Sequence, residues 1–397
     1  MKLTAFDRRV SNHFSMSALN RHIIEKILYY CNYNHNLIFT CKLFCSYTPE
    51  LKAGEYFTDS ILILFTSLQT LDCGSNYNFT DASLSMLTNL QTLECCNTEN
   101  FTDEALLRLT NLQRLGCNDT FTEMSLMMLT NLKSLNFWGN KNFTDRSLSK
   151  LTNLQSLDFC HTEIFTDKSL SKLTNLQTLK CSWNENFTDK SLSLLTNLQT
   201  LDCGENENFT NASLSKLTNL QTLKCGKNRN FTDDSLSKLT NLRDLDCGLN
   251  QKFTGSPLSK LTKLQRLDCS CNDKFTDESL SNLTNLRNLD CGLNQKFTDN
   301  SLMMLTNLQA LNCDRNGNFT DYSLSKLTQL RDLSCWSGVK FTDSSLMLLT
   351  KLQTLDCGHN KNFTDASLLM LPNLWRLHYR SNKNFTKSVL DKILKTY

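Results

Sequence analysis

Apolar residues return along this chain at a fixed spacing. The string L-T-x-L, or a near variant, begins at Phe65, Leu87, Leu109, Leu129, Leu151, Leu173, Leu195, Leu217, Leu239, Leu261, Leu283, Leu305, Leu327, Leu349 and Leu371. These 15 starts are 22 residues apart, except for one step of 20 between Leu109 and Leu129. A half unit, Phe57-Thr58-Asp59, precedes them, and a truncated unit runs from Ile393 to Tyr397. In the copy at 195–216 the apolar columns are Leu195, Leu198, Leu201, Cys203, Phe209 and Leu214. The alternation around Leu201 and Cys203 predicts a short strand. Thr210 stands where a helix N-cap belongs, and most copies follow it with Asp, which suits the positive end of a helix. Leu214 and Leu217 then continue a helical face. Each unit is therefore a coil of strand, turn and helical turn. One such coil cannot bury its own apolar edge, whereas stacked coils can, at roughly 1.5–3 kcal/mol per buried side chain.

The spacing L-x-x-L-x-C-x-x-N from Leu198 to Asn206 resembles the leucine-rich repeat, with Cys in its third apolar slot. The downstream spelling x-x-F-T-D-x-x-L, as in Asn184 to Leu192, is similar to the cysteine-containing class of that repeat, although these units are shorter. The resemblance runs from Phe57 to about Leu390. It implies an α/β leucine-rich-repeat solenoid over 49–397, right-handed and curved, with one parallel β-sheet on its concave face.

Cys fills the third slot in 12 of 15 units, and Phe137, Phe159 and Tyr379 fill the rest. A metal ligand or disulfide partner is not replaced by Phe, so the column reads as small buried hydrophobes, ahead of the alternative of a metal ladder or redox stack. Cys96, Cys160 and Cys271 fall outside it. The tripeptide Asn-Phe-Thr makes nine glycosylation sequons, for example at Asn78, Asn100 and Asn208. Its Phe is present in all 15 units while the residue before it varies. Phe is thus assigned to the core and the preceding residue to the surface. The Asn three places before Phe (Asn76, Asn184, Asn206, Asn228, Asn250, Asn272, Asn294, Asn316, Asn360) is predicted to bond to turn backbone.

Composition narrows the function. The net charge of +3 on 397 residues argues against nucleic acid as a partner. The run ILILF at 61–65 is too short to span a bilayer, and the first residues lack the apolar stretch of a secretory signal. An intracellular location, cytoplasmic or nuclear, with reduced thiols follows as an expectation. No phosphate loop, H-E-x-x-H or nucleophile–base pair is present, so no catalytic residue, metal or cofactor is assigned.

Residues 19–44, LNRHIIEKILYYCNYNHNLIFTCKLF, resemble an F-box. The family's apolar positions fall on Leu19, Ile23, Ile24, Ile27, Leu28, Leu37 and Phe44, although Asn20 and His22 replace its Pro and Glu. The resemblance implies an all-α segment over 1–48 that docks on the Skp adaptor of a cullin-RING ubiquitin ligase. The solenoid would then bind a protein substrate, in a chain that is monomeric outside the complex. The alternative is a helical cap on the first coil of a scaffold with no ligase link.

Two partner sites are candidates on the concave side. One is a column that includes Asp202, Asp246, Asp268 and Asp290, interrupted by Lys180 and Lys224 and flanked by Arg243, Arg266 and Arg287. It reads either as a solvated face or as an acidic stripe for a basic partner. The other is Trp138, His161 and Trp183, just after three successive strands, read either as a contact site or as local loop packing. The Cys and Phe columns are expected to be buried and the Asp column exposed. The short unit should lose its two residues from the turn between Cys117 and Phe121.

Overall fold

The computed structural model describes residues 48–394, apart from 56, 75, 97, 118, 138–139 and 160–163. Its described residues fall into two compact units, one ending at Leu176 and the other beginning at Gln177. The first holds six strands: β1 (Glu50–Lys52), β2 (Thr70–Asp72), β3 (Thr92–Glu94), β4 (Arg114–Cys117), β5 (Ser134–Phe137) and β6 (Ser156–Asp158). The second holds ten: β7 (Thr178–Lys180), β8 (Thr200–Asp202), β9 (Thr222–Lys224), β10 (Asp244–Asp246), β11 (Arg266–Asp268), β12 (Asn288–Asp290), β13 (Ala310–Asn312), β14 (Asp332–Ser334), β15 (Thr354–Asp356) and β16 (Arg376–His378). Within each unit every strand pairs in parallel with the next in the chain, Leu opposite Leu, as in Leu245↔Leu267 and Leu267↔Leu289. This is the leucine-rich-repeat solenoid that the period implied.

The core is the set of apolar columns. Leu195, Leu198, Leu201, Cys203, Phe209 and Leu214 are all fully buried, and so are their counterparts in neighbouring coils. Where Phe137 and Phe159 replace Cys, their rings stack at 5.8 Å and meet Phe143 and Phe165 edge-on. Extra volume in the Cys slot is thus absorbed by aromatic packing.

Most helices are single turns such as Asp189–Leu192, opened by a Thr whose hydroxyl accepts from the backbone two residues on, as Thr210 does from Ala212 at 3.1 Å. In the short coil, three residues separate Cys117 from Phe121, against five between Cys203 and Phe209, and the helix Glu123–Met128 is intact. The missing pair comes out of the turn, as expected.

Both ends differ from the sequence reading. The half unit at Phe57 extends back to a full strand, β1, because Leu51 pairs with Leu71. The last coil ends in one continuous helix, Lys387–Leu394, which buries Ile393, in place of a truncated repeat. Leu19, Ile23, Ile24, Ile27, Leu28, Leu37 and Phe44 lie outside the described residues.

Candidate functional site

Stacking leaves each coil with backbone and side-chain groups that only a neighbour can satisfy, and three ladders do this. Asn272 donates to the carbonyl of Asn250 at 2.6 Å, and Asn294 to Asn272 at 2.7 Å, while each side-chain oxygen accepts from its own turn. Asn140 and Asn382 stand in the same ladder, although the sequence reading passed over them. The residue before Phe is exposed, yet it is not free surface: Asn142 donates to the carbonyl of Asp119 at 2.8 Å and Asn318 to that of Gln295 at 2.8 Å. The Asp after each Thr does more than face a helix end. Asp103 accepts from the backbone N–H of Thr122 at 2.8 Å, from its hydroxyl, and from Ser125 Oγ at 2.6 Å. It clamps one coil to the next.

With those groups satisfied, the side of the sheet away from the core remains open. In the second unit it forms a groove of about 580 Å³ over β9 to β16. Six aspartates line it (Asp244, Asp246, Asp268, Asp290, Asp332 and Asp356) against three fixed cations, Lys224, Arg266 and Arg376. The strand register stacks Asp246, Asp268 and Asp290 directly upon one another.

The Asp column was expected to be exposed. Instead Asp202, Asp246, Asp268 and Asp290 are half-buried. Each of the last three folds back on its own turn: Asp246 accepts from the N–H of Gly248 at 3.3 Å, Asp268 from Ser270 at 3.0 Å and Asp290 from Gly292 at 3.0 Å. Asp290 also accepts from the Asn312 amide at 2.9 Å, and Asp202 from Ser182 Oγ. Burial, followed by the neighbouring Asp268 carboxylate, raises the pKa of Asp246. Burial also raises that of Asp290, with Asp268 and Asp314 adding to it against the hydrogen bonds from Gly292 and Asn312. Of the flanking arginines, Arg266 bonds not to this column but to Asp244, in the other strand column, through its Nε at 3.1 Å. No ion pair reaches Asp246, Asp268 or Asp290 among the described residues.

Beneath this column lie the thiols. Cys247, Cys269 and Cys291 donate to the carbonyls of Asp268, Asp290 and Asn312 at 3.3, 3.4 and 3.3 Å. Burial pushes their pKa values well above the ordinary thiol range, and that of Cys357 to about 12. Neutral, buried and hydrogen-bonded, they are core residues.

Of the aromatic candidates, Trp138 and His161 lie outside the described residues. Trp183 is 46% exposed, with the Lys227 ammonium 5.6 Å from its ring. Sequence reasoning missed Trp336, which replaces the small residue after the column Cys. It is held between the Arg315 guanidinium at 4.6 Å and the His359 ring at 5.2 Å. Its departure from the Gly found there in six copies was the available signal. Also missed was a column of residues in left-handed backbone, from Trp183 through Leu249 and Leu293 to Ser381, none of them glycine.

No family model matches the chain, and no curated protein matches it. Solved structures do. An internalin, InlF, from Listeria monocytogenes aligns at 28% identity over 73% of this chain and 88% of that one, with a TM-score of 0.57. The functional domain of Listeria InlJ, described as including a cysteine ladder, aligns at 26% over 85% and 74%, also at 0.57. Rad7, solved in complex with Elc1 from yeast, aligns at 18% over 92% and 98%, at 0.53, a likeness of fold alone. These neighbours bear out the solenoid. No described helix is long and apolar enough to cross a membrane.

Proposed function

We propose that this chain is a protein-recognition scaffold and serves as the substrate-recognition subunit of a cullin-RING ubiquitin ligase. The observation that supports a scaffold is the open sheet face of the second unit. Its strands pair in parallel with their neighbours, while outward side chains line an open groove over β9 to β16. A surface of that kind offers side chains at fixed spacing to a partner. Asp246, Asp268 and Asp290 are assigned to partner contact on this ground; Asp202, Trp183, Trp138 and His161 join them from the sequence pattern.

The ligase link rests on residues 19–44 and their resemblance to an F-box. Leu19, Ile23, Ile24, Ile27, Leu28, Leu37 and Phe44 would contact the Skp adaptor. Rad7 shares the fold while being solved with Elc1, which is compatible with the reading but carries none of it.

The test is adaptor capture by full-length protein, by residues 49–397, and by the double variant Ile23→Asp, Leu28→Asp. The ligase reading expects capture by the first and loss in the other two, with circular dichroism showing that both remain folded. Absence of capture by the full-length chain would leave a scaffold whose N-terminal segment is a cap. Asn20 and His22, which depart from the F-box pattern, favour that second reading.

A further inference from the structure

Three successive coils carry two matched columns. On β10, β11 and β12 the last strand residue is Asp246, Asp268 and Asp290. Three positions on, in the same coils, the left-handed turn residue is Leu249, Cys271 and Leu293. Leu249 and Leu293 are 46% and 43% exposed, and Cys271 is half-buried. Elsewhere in the second unit that turn position is Glu205, Lys227, Arg315, Ser337, His359 or Ser381, with Trp183 the exception. The acidic row is therefore bordered by an apolar ridge along these coils and not beside them.

Between row and ridge runs a strip of small residues, Gly248, Ser270 and Gly292. Their size matters. A Cβ at Gly248 would lie 3.3 Å from Asp268 Oδ1 and 3.0 Å from Ser270 Oγ, and one at Gly292 would lie 3.4 Å from Asp290 Oδ1. Larger residues here would crowd the carboxylates. Two coils further on, the strip is filled by Trp336, whose ring would be met at 2.4 Å by a Cβ on Gly358. The clear shelf thus spans the coils that hold both columns, continues back through Gly226 and Gly204, and ends beyond Gly292, where Asp314 and Trp336 follow.

We propose that β10 to β12 hold an extended segment of a protein partner that is cationic along one edge and apolar along the other. Its Lys or Arg groups lie on Asp246, Asp268 and Asp290, and its apolar side chains on Leu249, Cys271 and Leu293. This rests on the scaffold reading above and is independent of the adaptor. Charge complementarity selects the partner: the groove has a surplus of aspartate over fixed cation, while the chain as a whole is at +3. Each of the three carboxylates has one oxygen held by its own turn, which orients the row. A guanidinium or ammonium laid along it relieves the mutual repulsion of half-buried like charges. Anionic membranes and nucleic acid are repelled by the same row.

The experiment pans a displayed library of random peptides on the full-length chain. The expected outcome is enrichment of sequences with at least two Lys or Arg interleaved with apolar residues. The best peptide, synthesised and labelled, is then titrated by fluorescence anisotropy. The triple variant Asp246→Asn, Asp268→Asn, Asp290→Asn should weaken it about 10-fold or more and flatten its salt dependence. The pair Leu249→Ser, Leu293→Ser should weaken it about 10-fold with the salt dependence kept. Glu104→Gln, in the first unit, should change nothing. Urea midpoints show whether each variant is folded. Enrichment of neutral or acidic peptides, absence of enrichment, or binding that survives either set of substitutions overturns the proposal. Peptide binding elsewhere on the chain would sink this site and leave the scaffold reading standing; adaptor capture is scored separately.

Discussion

Aspartate plays two opposite roles here, and the difference is in what surrounds each carboxylate. Asp103 is pushed up by burial, but hydrogen bonds from Ser125 and Thr122 outweigh that and leave its pKa below the ordinary value. Its contribution to stability is therefore present above the normal carboxylate range and lost as pH falls through the lowered value. Asp103→Ala should cost about 2 kcal/mol and Asp103→Asn about 1, since Asn211 already makes a reduced version of this clamp to Thr232. Urea titrations at neutral and acid pH would check both the loss and its shrinkage in acid. Asp290 is raised, so its ionised form is penalised in the fold, fully at neutral pH and not at all once acid has protonated it. Asp290→Asn should accordingly raise the neutral-pH midpoint, with the gain disappearing in acid, and a destabilised variant would contradict the burial argument. For the thiols, Cys203→Ala should cost about 1 kcal/mol or more, the loss of a small buried hydrophobe, with no change in metal content by elemental analysis. The Cys and Phe columns were legible because their residue types recur at one phase of the period. The half-burial of the Asp column was not, because it depends on carboxylates from coils 22 residues apart being stacked by the strand register.

At the scale of one coil, residues 239–260 stand apart. Gly255 replaces the clamp Asp, adopts φ +84°, and is followed by the 3-10 turn Ser256–Lys260. Ser279 in the next coil, deprived of that carboxylate, bonds instead to the N–H of Thr276 at 3.1 Å. The same coil contains Asn250, whose buried amide nitrogen has no hydrogen-bond partner among the described residues. Two ladders are thus weakened in one place, so amide exchange should be faster at Thr276 to Ser279 than at Thr298 to Ser301, where Asp277 supplies the clamp. Equal protection would show that the clamp contributes little. Restoring a side chain does not help: a Cβ on Gly255 would lie 2.1 Å from Ser279 Oγ, and left-handed backbone disfavours it as well. Gly255→Ala should destabilise by about 1 kcal/mol or more by thermal denaturation. Helix caps and strand positions were readable locally, since Thr210 caps a backbone N–H two residues on and Leu201 and Cys203 alternate along one short stretch. Strand β1 was not, because Glu50–Lys52 has no repeat spelling and forms only where Leu71 offers a partner.

For the whole molecule the consequence of the period is modularity. In the second unit β9 pairs with the strand before it and the strand after it, so removing residues 217–238 joins Lys216 to Leu239 with every column still in phase. That deletion should leave a folded chain with a smaller urea m-value, and collapse of the circular dichroism signal would argue against nearest-neighbour stability. What the sequence determined by itself was the solenoid and its core. An apolar pattern repeating every 22 residues has no local partner, and stacking is the arrangement that buries it, whatever the details. What only the tertiary structure decided is how neighbouring copies touch: the Asp clamps, the raised carboxylates, the left-handed ridge and the shelf between Asp268 and Cys271. Those depend on register and on the direction of each side chain, and both are set across coils by hydrogen bonds between residues far apart in the chain.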